Sequence, residues 1–170
     1  MNKIISLSLF AVALPFVPLP VAAQEKIDSG KTATADSEHI VVTPTELKWA
    51  AAPPSVPSGA QVAVLEGHPA KSGPFTVRFQ APDGYKIPPH THPTAEKITV
   101  LSGTMLLGTG ANLDEKVMRE MPPGSFMVMP AGMQHFVKMR GDTIIQINGD
   151  GPFEIKYVNP ADDPRNTAKQ

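Results

Sequence analysis

Proline sets the first limit on what this chain can fold into. Nineteen of its 170 residues are proline, and beyond Gly59 they combine with Gly and Asp to cut the sequence into short apolar stretches: AQVAVLEG, PFTVRFQAP, EKITVLSGTMLLGTG, SFMVMPAG, QHFVKM, TIIQING and FEIKYVNP. Proline fixes φ and has no N–H, so a helix of ordinary length cannot persist through this punctuation. Apolar stretches spaced by roughly 8 to 12 residues predict short strands joined by turns, an all-β sandwich or barrel. In PFTVRFQAP, Phe75, Val77 and Phe79 share one face while Thr76, Arg78 and Gln80 share the other, the alternation of a half-buried strand. FEIKYV repeats the device with Phe153, Ile155 and Tyr157. Only NLDEKVMREM leans towards helix, and it ends at Pro122-Pro123, so a strand or loop serves there as well. Met105, Met118, Met121, Met127, Met129, Met133 and Met139 fall mostly in the expected strands, where they read as pliable core filling.

The chain divides by composition. Met1-Asn2-Lys3, an uncharged run from Ile4 to Leu14 and the small residues Val21-Ala22-Ala23 predict a signal peptide over residues 1–23, cleaved after Ala23, and hence a periplasmic or secreted protein. Residues 24–44 are polar and read as a flexible arm, 45–160 as one barrel domain and 161–170 as a tail. The segment from Glu46 to Val56, with Trp49 as its anchor, is expected to lie across a neighbouring strand or subunit, and open sheet edges predict a homodimer. With 41% apolar and 18% charged residues, one core is expected. A net charge of -1, with the basic residues scattered, predicts no nucleic-acid partner and, once the signal peptide is removed, no membrane partner. The absence of cysteine means stability without disulfides, and it removes thiolate metal sites and cysteine nucleophiles.

The stretch GYKIPPHTHPTAEKITVLSG carries the chemistry. Pro88, Pro89 and Pro93 rule out a helix around His90 and His92, and on a strand two residues apart both side chains leave the same face, with Cα atoms about 6.6 Å apart. Two imidazoles so placed can converge on one metal ion. A bend after Pro93 would return the Glu96 carboxylate to the same point, and His135 in PAGMQHFV is the candidate for a fourth ligand from elsewhere in the fold. His39 and His68 read as loop histidines, and Tyr85, Lys97, Gln134 and Gln146 as rim or outward-facing residues. Met127, Val128 and Met129 are expected to be largely buried around the centre.

These residues resemble the two motifs of the cupin superfamily. Gly84, His90, His92, Glu96 and Gly103 fill every fixed place of the first, and Gly124, Pro130, Gly132 and His135 all but the last place of the second, where Met139 stands instead of Asn. The resemblance implies a single antiparallel β-barrel, the double-stranded β-helix or jelly roll, with His90, His92, Glu96 and His135 as ligands of one divalent transition metal ion: Zn, Cu, Fe, Mn or Ni. It further implies a small metal-dependent enzyme, a dioxygenase, decarboxylase or lyase, acting on a small carbonyl or carboxylate compound. The reading from another class is a non-catalytic periplasmic protein that binds a small ligand or handles copper or zinc. A substrate-sized pocket above the metal would favour the enzyme, and methionines clustered at the barrel mouth beside His135 would favour metal handling.

Overall fold

The computed structural model describes residues 39–167. The expected signal peptide, the arm up to residue 38 and the last three residues of the tail lie outside the described residues.

The described residues form nine antiparallel strands in one continuous, curled sheet, most of them from the apolar stretches: β1 (Ala50–Ala51), β2 (Gln61–Glu66), β3 (Gly73–Ala81), β4 (Lys86–Thr91), β5 (Glu96–Thr109), β6 (Arg119–Met121), β7 (Phe126–Met129), β8 (His135–Gly151) and β9 (Lys156–Tyr157). The long strands β5 and β8 make the spine, paired from Lys97↔Asn148 to Thr109↔His135. Each changes its outer neighbour midway. β8 pairs with β4 through residues 135–138 and with β3 through residues 143–151. β5 pairs with β7 through residues 96–99 and with β6 through residues 105–107. The sheet thereby turns over its own core as a jelly-roll barrel.

A bend in the spine makes this closure. The register slips between Val100 and Ser102 and again between Ser102 and Thr104, and bulges of this kind bend a strand and increase its twist. Gly103, the last glycine of the first motif, sits here at φ +69°, and a Cβ on it would lie 2.6 Å from the Asp142 carbonyl oxygen and 2.7 Å from the Thr143 Cα. Only glycine fits so close an approach. Thr143 is fully buried, and its hydroxyl donates to the Gly141 carbonyl at 2.9 Å.

The core follows the alternation where a strand is well paired. Phe75, Val77 and Phe79 of β3 are buried, and Val100, Met105, Val137, Met139 and Ile145 of the spine join them. Each large apolar side chain so buried contributes about 1.5 to 3 kcal/mol. Met121, Met127 and Met129 are buried and Met133 packs against the cluster, in keeping with core filling. Val128 departs from expectation. It is 46% exposed, because β7 is a true strand, so the residue between two inward methionines must point out.

Other local expectations change in detail. FEIKYV keeps its inward Ile155, with Phe153 and Tyr157 half-buried, but only Lys156–Tyr157 is strand, paired with β4. NLDEKVMREM becomes a 3₁₀ turn at Glu115–Val117, capped by Asp114 Oδ1 accepting from the Lys116 N–H at 2.9 Å, followed by β6. The segment with Trp49 runs into β1, which pairs with β2 of the same chain. The proline-rich strap after it is fixed by two phenols: Tyr85 donates to the Pro57 carbonyl at 2.6 Å and Tyr157 to the Ser55 carbonyl at 2.9 Å.

Candidate metal centre

Glu96 opens β5 and His135 pairs with Thr109 at its other end, a separation of about 40 Å along a straight strand. In the folded chain Glu96 Oε2 lies 3.3 Å from His135 Nε2. The curl of the spine brings the two ends of β5 to one place.

The other members arrive by local rules. Pro88 and Pro89 offer no N–H, and the β4–β8 ladder slips register between Ile87 and His90, after which His90 pairs directly with His135. His92 follows β4, and its carbonyl accepts from the Gly132 N–H at 2.9 Å, tying the PAGMQH turn to the HTH segment. His90, His92, Glu96 and His135 are 3%, 6%, 5% and 1% exposed.

Each imidazole is oriented by its outer nitrogen. His90 Nδ1 meets the Pro88 carbonyl at 2.7 Å, His92 Nδ1 the Glu154 carbonyl at 2.7 Å, and His135 Nδ1 the Met133 carbonyl at 3.0 Å. A carbonyl can only accept, so each Nδ1 carries a proton, and in the neutral ring Nε2 presents a bare lone pair inwards. Phe153 stacks on the His92 ring at 4.2 Å and 15°, fixing its plane. Burial, reinforced by the His135 and His92 rings, pushes His90 down to about 2. His92 is also lowered by burial, against the pull of Glu96. Both therefore stand neutral at ordinary pH.

Ligand atoms of His90, His92 and His135 lie within 4.8 Å of one another, and Glu96 Oε2 stands 3.5 Å from His92 Nε2. His92 Nε2 and Glu96 Oε2 are buried without a hydrogen-bond partner. Neutral imidazoles and a carboxylate that face one another have no donor to share, and buried polar atoms left without a partner, as His92 Nε2 and Glu96 Oε2 are, are costly. A cation resolves the conflict, and nitrogen and oxygen donors of this type suit Zn, Fe, Mn, Ni or Cu. The three histidines could hold such an ion.

They line a cavity of about 510 Å³ inside the barrel. Its walls are otherwise almost wholly apolar, including Val77 and Phe79 of β3, Ile145 and Ile147 of β8, and Val56 of the strap. Among the described residues, no lysine or arginine lines it.

The four residues singled out in the sequence are thus brought together. Lys97 and Gln134 are exposed and Gln146 is half-buried on the outer face, whereas Tyr85 is a core residue, 7% exposed, and not part of a rim. His68 is the residue that sequence reasoning missed: it lies in an exposed loop and yet lines the cavity. No local signal marks it, because that placement depends on contacts distant in sequence.

Residues 37–154 match the family described as the ChrR cupin-like domain. Germin-like protein 5-1 of Oryza sativa subsp. japonica is 37% identical over 90 residues, which is 52% of this chain and 40% of that protein. Germin-like protein 4-1 of the same plant is 44% identical over 91 residues, 46% of this chain and 35% of that protein. The chain therefore spans less than half the length of either relative. Among solved structures, an acetylacetone dioxygenase from Acinetobacter johnsonii has a TM-score of 0.59 at 15% identity, covering 79% of this chain and 85% of that one. A polyketide cyclase from Streptomyces resistomycificus has a TM-score of 0.58 at 19% identity, covering 76% and 92%. At these identities the likeness is one of fold.

Proposed function

The chain belongs to the ChrR cupin-like family, and from that premise we propose that it is an enzyme holding one divalent transition metal ion through His90, His92, Glu96 and His135 and acting on a small uncharged carbonyl compound, with dioxygenase chemistry as the leading reading. The observation that carries the proposal is the cavity: partnerless polar atoms of His92 and Glu96 face a largely apolar space, open to solvent on one side, that is large enough for a small organic molecule. Bound there, the metal would supply Lewis acidity to a carbonyl or enolate oxygen and, if redox-active, access to dioxygen. The chain's own part is orientation and dryness. Backbone carbonyls hold the imidazoles in one tautomer, and the apolar walls exclude water from the reacting end. Among the described residues no lysine or arginine stands in the lining, which favours a neutral carbonyl over a carboxylate. The acetylacetone dioxygenase that shares the fold acts, by its name, on a β-diketone, which makes that class the first to test.

Copper or zinc handling without catalysis is the second reading, and it would draw on Met105 and Met139, which line the same cavity. One experiment separates the two. Protein stripped with chelator is reloaded singly with Fe²⁺, Mn²⁺, Zn²⁺, Cu²⁺ or Ni²⁺, and its metal content and oxygen uptake with acetylacetone or benzoylacetone are measured. One equivalent of metal with diketone-dependent uptake for iron or manganese supports the enzyme. Stoichiometric metal with no turnover under any ion supports handling, and no metal binding overturns both.

A further inference from the structure

Among the described residues, His68 is the one titratable side chain of the cavity lining outside the four-residue cluster, and unlike the cluster it is exposed. Its Nδ1 accepts the Ala70 N–H at 3.1 Å, so in the neutral ring the proton sits on Nε2, which is left as a hydrogen-bond donor with no partner in this turn. The loop that carries it is closely fixed. Gly67 lies at φ +62° with Phe75 Cα 3.1 Å from where a Cβ would be, and the Lys71 N–H closes a turn onto the His68 carbonyl at 2.9 Å. The next carbonyl, Pro69, accepts the Phe153 N–H at 2.7 Å. Phe153 stacks on His92, and the Glu154 carbonyl holds His92 Nδ1, so one short segment joins the His68 loop to the cluster.

We propose that His68 is a second recognition group: a positioning residue that donates its Nε2–H to an oxygen at the outer end of an elongated, uncharged, mainly apolar ligand whose inner oxygen end meets the cluster. This rests on the function proposed above. The largely apolar lining thus carries a buried cluster of polar side chains and, separately, the exposed His68. A ligand with an acceptor at each end satisfies both, whereas a purely apolar outer end leaves the His68 donor to water.

The test uses two probes, 1-phenylbutane-1,3-dione and its para-methoxy derivative, which differ by one acceptor at the far end of the ring. Affinities are measured for metal-loaded and metal-stripped full-length protein as wild type, His68→Gln, His68→Asn and His68→Ala. Gln restores a donor near the position of Nε2, and Asn restores only the acceptor that caps the turn. Wild type and His68→Gln are expected to favour the methoxy compound by about threefold to tenfold, the range of one neutral hydrogen bond, while His68→Asn and His68→Ala show a ratio near one. A purely structural role for His68 would give the reverse, with Asn rescuing and Gln failing. That result overturns the proposal, as does an unchanged ratio in all four proteins or the failure of both probes to bind metal-loaded wild type. Metal content is read separately. Loss of the ratio in protein that takes up metal removes only the His68 role, and a preserved ratio in protein that takes up none removes only the metal-dependent function.

Discussion

At Glu96, binding and stability pull in opposite directions. Its Oε2 is buried 3.3 Å from His135 Nε2 and 3.5 Å from His92 Nε2, with acceptors facing acceptors. Glu96→Gln keeps the shape, removes the charge and places an amide N–H₂ where it can donate to either imidazole. In metal-free protein the substitution should therefore stabilise by about 1 kcal/mol, the net worth of one neutral hydrogen bond, or a few degrees in Tm for a domain of this size. In the presence of metal the order should reverse, because ligand binding stabilises in proportion to affinity and the amide is the poorer ligand. Thermal melts of both proteins with chelator and with added Zn²⁺ read the two signs. A variant less stable than wild type without metal would show that the carboxylate has a donor partner and that the cluster is not arranged around a cation.

The same geometry places a demand on the elements. Glu96 and His135 meet only because β5 and β8 bend together where Gly103 approaches Asp142 and Thr143. Gly103→Ala adds the left-handed backbone cost of about 1 to 2 kcal/mol and a collision with backbone that cannot move aside cheaply, so a loss of roughly 3 kcal/mol is expected. Metal affinity should fall with it, since the bend sets the distance between the two strand ends. Gly59→Ala makes the control: its φ of +105° carries strain, but a Cβ there meets nothing within 4 Å, so metal affinity should stay at the wild-type value. Equal metal affinity for Gly103→Ala and wild type would separate the bend from the site. Much of this was legible beforehand. Prolines and period-two alternation are local, and they place Phe75, Val77 and Phe79 inside and exclude helix around His90 and His92. Local rules also resolve Val128 once β7 is known to be a strand, although its neighbours Met127 and Met129 suggest a wholly buried run. What remained hidden was non-local: the change of partners midway along β5 and β8, the inward Tyr85 bonded to the strap, and the arrival of His68 at the cavity.

On the scale of the whole molecule, burying neutral histidines links folding to pH. His90 is held down to about 2 by burial and then by the neighbouring imidazoles, and His92 is lowered by burial as well, whereas in an unfolded chain each has the ordinary value of 6.5. The sign follows from proton counts. Between pH 6.5 and the depressed folded value the unfolded chain binds protons that the folded chain refuses, so the stabilising contribution is complete above pH 6.5 and declines as pH falls. For one such histidine the loss between pH 7 and pH 5 is about 2 kcal/mol, a window that lies mostly above the carboxylate range. Urea midpoints of metal-free wild type and His90→Leu at pH 7, 6 and 5 isolate the term, because the leucine variant keeps an apolar wall and removes one titrating group. Wild type should lose about 2 kcal/mol more than the variant over this interval, whatever the two absolute stabilities are. Parallel pH profiles would mean that His90 takes up a proton in the folded barrel as readily as in the unfolded chain. The inward lone pair on which the metal assignment depends would then be filled by a proton at the mildly acid end of this range.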